Sequence, residues 1–124
     1  MPTDVTIRAA LWSSVVLNLF GAMLFGSAAI GRPLMAPPVP LAPFYAAQLT
    51  LTIVLFGGVY AWLARQPAIN RPLLFVGAVG KIGFFAIFVL YWLAGDLTRA
   101  TAAQASPDLF LGVVYLWWLG GTRR

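Results

Sequence analysis

The stretch PLLFVGAVGKIGFFAIFVLYWLA, residues 72–94, carries a single charged side chain, Lys81, among aliphatic, aromatic and small residues. A transmembrane α-helix needs about 20 predominantly apolar residues, so this stretch predicts a helix that crosses a membrane. At a rise of about 1.5 Å per residue, Lys81 lies about 13 Å beyond Pro72 in a hydrocarbon core about 30 Å thick. The only lysine of the chain is therefore expected near the middle of the bilayer.

The composition of the whole chain agrees with a membrane location. Of the 124 residues, 61% are hydrophobic and 9% are charged, whereas about a quarter of the residues of a soluble domain are charged. We therefore expect one integral membrane domain over residues 1–124. The net charge of +5 comes from scattered arginines and not from a basic run. It indicates membrane topology and contacts with lipid headgroups, and it predicts no nucleic-acid partner.

Three further apolar segments predict membrane-spanning helices, over residues 9–30, 44–64 and 107–121. The last of them is the shortest. The first is longer than the apolar core of about 7–15 residues that a signal peptide has, so we expect it to stay uncleaved. Together with residues 72–94, these segments predict an all-α fold, a bundle of four transmembrane helices.

The three connections between these segments differ in character. Residues 31–43, GRPLMAPPVPLAP, are rich in proline and predict a stiff, extended crossing, because proline cannot continue a helix. Residues 65–72, RQPAINRP, predict a tight polar hairpin with Pro72 at the first helical position. Residues 95–108 predict a longer connection that includes some interfacial helix.

The arginines predict the orientation of the bundle. Four helices place both termini on one side, and basic residues favour the cytoplasmic side of a membrane. With both termini inside, the cytoplasmic arginines are Arg8, Arg65, Arg71, Arg123 and Arg124, and the outer ones are Arg32 and Arg99. Aromatic belts fit the same orientation, with Trp12, Trp62, Trp117 and Trp118 at the inner interface and Trp92 at the outer one. We expect a multi-pass protein of a bacterial inner membrane.

The residue inventory excludes most site chemistry. The sequence contains no cysteine, histidine or glutamate, and its carboxylates are Asp4, Asp96 and Asp108. Thiol chemistry, haem ligation through histidine or cysteine and the usual zinc ligands are therefore excluded. We predict no metal site and no catalytic residue, and we leave the cofactor open. An enzyme with Lys81 as a Schiff-base nucleophile or proton donor ranks lowest, because no second catalytic group is evident.

The cost of a charge at mid-membrane predicts a polar site around Lys81. A central lysine costs about 2.5–3.5 kcal/mol on insertion scales, so it should face the bundle interior and find partners. The depths of Asp108 and Lys81 in the membrane are expected to differ by about 5 Å. However, helical side chains lean towards the helix N-terminus, which directs Lys81 away from Asp108. A bridging water or nearby amides would close that gap. The predicted ligand-binding set is Lys81, Asp108, Asn18 and Gln48, with Tyr45 and Tyr115 at the rim.

Each of these residues also has a purely structural interpretation. Ser106, Pro107 and Asp108 form a good helix start, with a serine cap and a carboxylate at the positive helix end. Asn18 and Gln48 could be hydrogen-bonding links between helices, and the glycines could be packing contacts. A buried ion pair of Lys81 could serve only to fix the register of the helices, although such pairs give little net stability.

Four motifs resemble small, mostly uncharacterised bacterial four-helix membrane proteins of a loosely DoxX-like kind. They are NLFGAMLFG (18–26), FGGVYAWLARQPAINRPL (56–73), GAVGKIGFF (77–85) and SPDLFLGVVYLWWL (106–119). The resemblance spans nearly the whole chain. It implies an inner-membrane four-helix bundle with a lysine after small residues in the third helix and an aspartate opening the fourth, here Lys81 and Asp108. DoxX-like names derive from a thiosulfate:quinone oxidoreductase subunit, but no redox motif in this sequence supports that activity.

Two functions follow as expectations. The first is a membrane protein whose intramembrane polar site binds or transports a small or amphipathic molecule, such as a lipid or a quinone. The alternative is a structural or accessory subunit of a larger membrane complex. Because a chain of this length has limited room for an internal pathway, a transporter is expected to form a homodimer.

Overall fold

The computed structural model describes residues 4–34 and 40–121, which form five α-helices and no strand. These helices are α1 (Asp4–Ala29), α2 (Pro43–Arg65), α3 (Arg71–Leu93), α4 (Arg99–Ala103) and α5 (Ser106–Gly121). The predicted all-α fold is thereby confirmed. The four long helices lie within one residue of the predicted segments at all but one end. The exception is the start of α1, where the carboxylate of Asp4 occupies the first turn, a favourable place for a negative charge.

The helix ends follow from local sequence. Pro43 stands in the first turn of α2. The side chain of Asn70 caps α3 by accepting a hydrogen bond from the backbone N–H of Leu73. Beyond α1 and α3 the chain turns at Gly31 and Gly95, whose φ angles of 76° and 89° favour glycine.

The proline-rich connection is described only at its two ends. Pro33 and Pro40 lie in irregular backbone, as expected for residues that cannot continue a helix. Pro37 and Pro38 lie outside the described residues.

The helices pack as two antiparallel pairs, α1 with α2 and α3 with α5. We call the end of the bundle at which α1 and α3 begin the proximal end, and the opposite end the distal end. The two pairs are joined by a core in the proximal half, built by residues such as Leu11, Leu63, Leu74, Ala78 and Tyr115. Contacts between α2 and α3 are sparse. The pairs are therefore held together at the proximal end and leave space between them further along.

Three helices, α1, α2 and α3, are long and apolar enough to cross a membrane. They expose many large apolar side chains, among them Leu19 (62%), Leu55 (60%) and Leu90 (62%). Exposure of this kind in a helix of membrane-spanning length fits a surface that faces lipid. The structure therefore has the features of a membrane protein.

The fourth long helix, α5, begins inside the bundle. It has 16 residues, about 24 Å. Arg71, at the start of α3, donates a 2.5 Å hydrogen bond to the carbonyl of Leu119. The C-terminal end of α5 therefore lies level with the start of α3. Gly112 lies against Ala78 and Ile82, so α5 starts about two turns short of the distal end of α3. The segment from Gly95 to Ala105, which includes α4, covers the missing length.

Two arginines at the proximal end bind helix C-termini. Arg8 donates to the carbonyl oxygens of Ala64 (2.7 Å) and Pro67 (3.2 Å), at the end of α2. Arg71 binds the end of α5 as described, and its guanidinium lies 5.6 Å from the ring centroid of Trp118. These side chains satisfy carbonyl groups that a helix end leaves without an intrahelical partner.

The orientation predicted from the arginines stays a prediction. Arg123 and Arg124 lie outside the described residues. Arg8, Arg65 and Arg71 lie at the proximal end, and Arg32 and Arg99 lie at the distal end. The proximal end is therefore the one that the positive-inside rule assigns to the cytoplasm.

Candidate functional site

A cavity of about 700 Å³ separates the two helix pairs in the distal half of the bundle. Its wall is mainly apolar and includes five phenylalanines: Phe20, Phe25, Phe56, Phe84 and Phe88. The segment around α4 adds Thr101, Gln104 and Ala105 to the lining. The cavity is in the size range of small-molecule binding sites, which are mostly apolar with a few placed polar groups.

Lys81 and Asp108 form an ion pair on the wall of this cavity. The Lys81 ammonium donates a 2.9 Å hydrogen bond to Oδ1 of Asp108, and the two side chains are 3% and 17% exposed. The expected lean of Lys81 away from Asp108 does not prevent direct contact. Because α5 starts deep in the bundle, its first turn brings the carboxylate within reach of the lysine side chain.

Tyr60 supports the lysine from the opposite helix pair. The Lys81 ammonium lies 4.9 Å from the Tyr60 ring centroid, in cation–π range. The Tyr60 hydroxyl donates to the carbonyl of Gly77 at 3.4 Å. A Cβ atom at Gly77 would lie 2.9 Å from Cε1 of Tyr60, so this close approach requires glycine.

Sequence reasoning missed Tyr60, although a signal was present. By helical spacing, Tyr45, Gln48 and Thr52 share one face of α2. Steps of four residues from Thr52 reach Phe56 and then Tyr60, and all three line the cavity. Extending the face by two turns would have identified the tyrosine.

Asn18 is brought to the cavity as predicted. Its Nδ2 donates a 2.9 Å hydrogen bond to the carbonyl of Ile53, which links α1 to α2. A Cβ atom at Gly57 would lie 3.3 Å from Cβ of Asn18, so the two helices approach closely here. The interhelical link that the structural interpretation assigns to Asn18 is thus present, while Oδ1 has no hydrogen-bond partner among the described residues.

Gln48 and Tyr45 are not brought to the cavity. Both are exposed in the first two turns of α2, where Tyr45 packs edge-on against Phe44 with ring centroids 5.4 Å apart. The first cavity-lining residue of α2 is Leu49. These two predicted site residues lie nearer the distal end than the part of α2 that faces the site.

Tyr115 lies in the core and not at a rim. It is 0% exposed, and its hydroxyl contacts the Ser14 hydroxyl and lies 3.3 Å from the carbonyl oxygen of Ala10. By helical spacing, Asp108, Gly112 and Tyr115 share one face of α5, but α5 runs from the cavity towards the proximal end. That face therefore enters the core two turns after Asp108. Sequence reasoning did not single out Ser14, whose hydroxyl is buried in α1.

The cavity wall offers groups that can bind a ligand. Among the described residues, no three carboxylates, histidines or cysteines come together to hold a metal ion. Ser106 is the first residue of α5 and not the residue before it, and its hydroxyl donates to the carbonyl of Ala103. Asp108 lies in the first turn of α5, as the structural interpretation expects, and it also accepts the hydrogen bond from Lys81. Within the part of the chain that the structure describes, the cavity lining contains one ammonium (Lys81), one carboxylate (Asp108) and a few neutral polar groups.

Comparisons with protein-family models, with curated proteins and with solved structures gave no match for this chain. The resemblance to DoxX-like proteins therefore stays a prediction.

Proposed function

We propose that this membrane protein binds an amphipathic molecule in the cavity between its two helix pairs. The polar head would meet Lys81 and Asp108, and the apolar part would lie against the phenylalanines of the wall. One observation supports this most directly: the ion pair lies on the wall of a largely apolar cavity of about 700 Å³. A ligand of this kind matches both parts of that wall.

A purely structural role explains this position less well. An ion pair that only fixed helix register would be enclosed by protein, as Tyr115 and Ser14 are in the core. Asp108 is instead 17% exposed on the cavity wall, and buried ion pairs contribute little net stability. Ionisable groups within membrane helices often face a substrate path or a cavity.

The geometry supports binding more than passage through the bundle. The core lies on the proximal side of the cavity. In this core, Tyr60 and Tyr115 pack with ring centroids 6.0 Å apart. Transport would require the two pairs to separate at this core.

The test is ligand-dependent stability. We would purify the wild type, Leu24→Trp and Leu19→Trp in detergent, and measure thermal unfolding with and without a lipid extract from the native membrane. Leu24 lines the cavity, and Leu19 is 62% exposed on the same helix. A ligand that binds only the folded protein raises its stability, by about 2.7 kcal/mol at one hundred times Kd. We expect the extract to stabilise the wild type and Leu19→Trp, and to stabilise Leu24→Trp less, because its larger side chain occupies part of the cavity.

Mass spectrometry of the stabilised protein would then identify the bound molecule. Equal stabilisation of all three proteins would contradict the proposal, since it would show that the extract acts outside the cavity. Retention of the chain in a larger complex during purification, with no extract effect, would favour the accessory-subunit alternative.

A further inference from the structure

We infer that the head group of the ligand is uncharged and carries a hydroxyl, as in a monoacylglycerol or a long-chain alcohol. This inference rests on the proposed function and names the ligand class of the same cavity. It follows from the charge balance of the site and from the hydrogen-bonding capacity that the ion pair leaves open.

The cavity wall is electrically balanced. Among the described residues that line it, Lys81 and Asp108 are the charged ones, and they neutralise each other at 2.9 Å. The arginines of the described chain lie near the two ends of the bundle, and none of them lines the cavity. An anionic or cationic head group would therefore place an unbalanced charge in an apolar setting, which is unfavourable.

The pair still has room for one neutral group that both accepts and donates. An ammonium has three N–H donors, and the described contacts of Lys81 are one hydrogen bond to Asp108 and the face of the Tyr60 ring. Oδ1 of Asp108 accepts the bond from Lys81, while Oδ2 has no hydrogen-bond partner among the described residues. A hydroxyl can accept from the ammonium and donate to this carboxylate oxygen at the same time.

A second polar group of the ligand has a candidate partner at Asn18. Its Oδ1 can accept a hydrogen bond, because the bond to Ile53 uses the Nδ2 donor of the amide. A glycerol head, with two free hydroxyls, would use this acceptor as well as the ion pair. An ester or ketone oxygen alone can only accept, so it would leave Oδ2 of Asp108 without a donor.

The experiment compares probes that share one oleyl or oleoyl chain and differ in the head. The full chain would be placed in phosphatidylcholine nanodiscs and titrated with 1-monooleoylglycerol, oleyl alcohol, methyl oleate, oleate or oleylamine. At saturation we expect the monoacylglycerol and the alcohol to raise Tm by about 5 °C. We expect methyl oleate, oleate and oleylamine each to raise it by less than half as much.

Variants link the effect to the ion pair. Lys81→Met with Asp108→Leu removes both charges and both hydrogen-bonding groups together, so that neither charge is left unpaired, and it should lose most of the monoacylglycerol shift. Asp96→Leu, the same carboxylate change at an exposed position in the connection before α4, should retain it.

The outcomes separate this inference from the proposed function. A larger shift with oleate or oleylamine that decreases in Leu24→Trp would overturn the uncharged head group and leave cavity binding in place. An equal shift with methyl oleate would overturn the need for a hydroxyl. If no probe and no component of the native extract stabilises the wild type more than Leu24→Trp, the proposed function fails together with this inference.

Discussion

At the scale of single residues, Lys81 shows how an ammonium is accommodated in the middle of an apolar helix. It lies ten residues after the start of α3 and twelve before its end. Its charge is met by the Asp108 carboxylate and by the face of Tyr60, and the tyrosine can approach because residue 77 is glycine. Three elements therefore have to be in place before the lysine is satisfied.

This arrangement predicts a large effect when one charge is removed and a small one when both are. We expect Asp108→Asn to lower the free energy of unfolding by about 3–5 kcal/mol, because it leaves the ammonium unpaired in an apolar setting. Lys81→Met combined with Asp108→Asn should recover most of that loss. Thermal or denaturant unfolding in detergent measures both. Asp96→Asn is the control, and as an exposed change it should stay within about 0.5 kcal/mol of the wild type.

If instead the single and double variants were both as stable as the wild type, the ion pair would have no energetic role in the fold. The cavity proposal would then depend on the ligand measurements alone.

At the scale of elements, the contact between α3 and α5 decides where the carboxylate lies. A Cβ atom at Gly112 would lie 2.7 Å from Cγ1 of Ile82 and 3.2 Å from the carbonyl oxygen of Ala78. The second of these contacts is to backbone, which cannot rotate away. Gly112 thus allows α5 to approach α3 one turn below Asp108 and sets the distance between the two charges.

We therefore expect Gly112→Ala to separate α3 from α5 locally and to destabilise the protein by about 1–3 kcal/mol, as overpacking does. The same substitution at Gly120, near the end of the same helix, meets no atom within 4 Å and serves as the matched control. There alanine should be neutral or stabilise by up to about 1 kcal/mol, because it favours helix more than glycine does. Unfolding of the two variants side by side measures the difference, and equal stability would mean that the helices adjust freely.

At the scale of the whole molecule, the two helix pairs form a wedge that is closed by the proximal core and open in its distal half. The core is built by α1, α2, α3 and α5 together, with residues such as Leu11, Leu63, Leu74 and Tyr115. The outer faces of the three longest helices are apolar and exposed. This shape presents two apolar surfaces: the outer faces of the helices, which fit contact with lipid, and the wall of the cavity between the pairs.

The orientation of the wedge in the membrane can be tested directly because the sequence has no cysteine. Ala68→Cys lies in the connection between α2 and α3 at the proximal end, and Asp96→Cys lies beyond α3 at the distal end; both positions are exposed. With the proximal end in the cytoplasm, a membrane-impermeant maleimide should label Asp96→Cys in intact spheroplasts and Ala68→Cys only after lysis. Labelling in the reverse order would contradict the predicted orientation.

The helices and the presence of a polar group at mid-depth can be predicted from the amino-acid sequence alone. Apolar segments of membrane length, prolines and glycines at their ends and one lysine within a span are local properties, and each acts through the backbone or through solvation of a single helix. For the same reason Lys81, Asp108 and Asn18 could be chosen as site residues, since polar groups in such helices are few.

Which of these groups come into contact depends on how the helices pack against one another. The close contact at Gly112 sets the depth at which α5 packs against α3. At this depth Asp108 reaches Lys81, and Tyr115 lies in the core. The two helix pairs separate over only part of α2, from Leu49 to Tyr60. Tyr60 therefore lines the site, whereas Gln48 and Tyr45 lie outside it. Helical periodicity predicts on which face of its helix a residue lies. The depth of one helix relative to another, and the packing between them, are set by contacts between elements far apart in sequence.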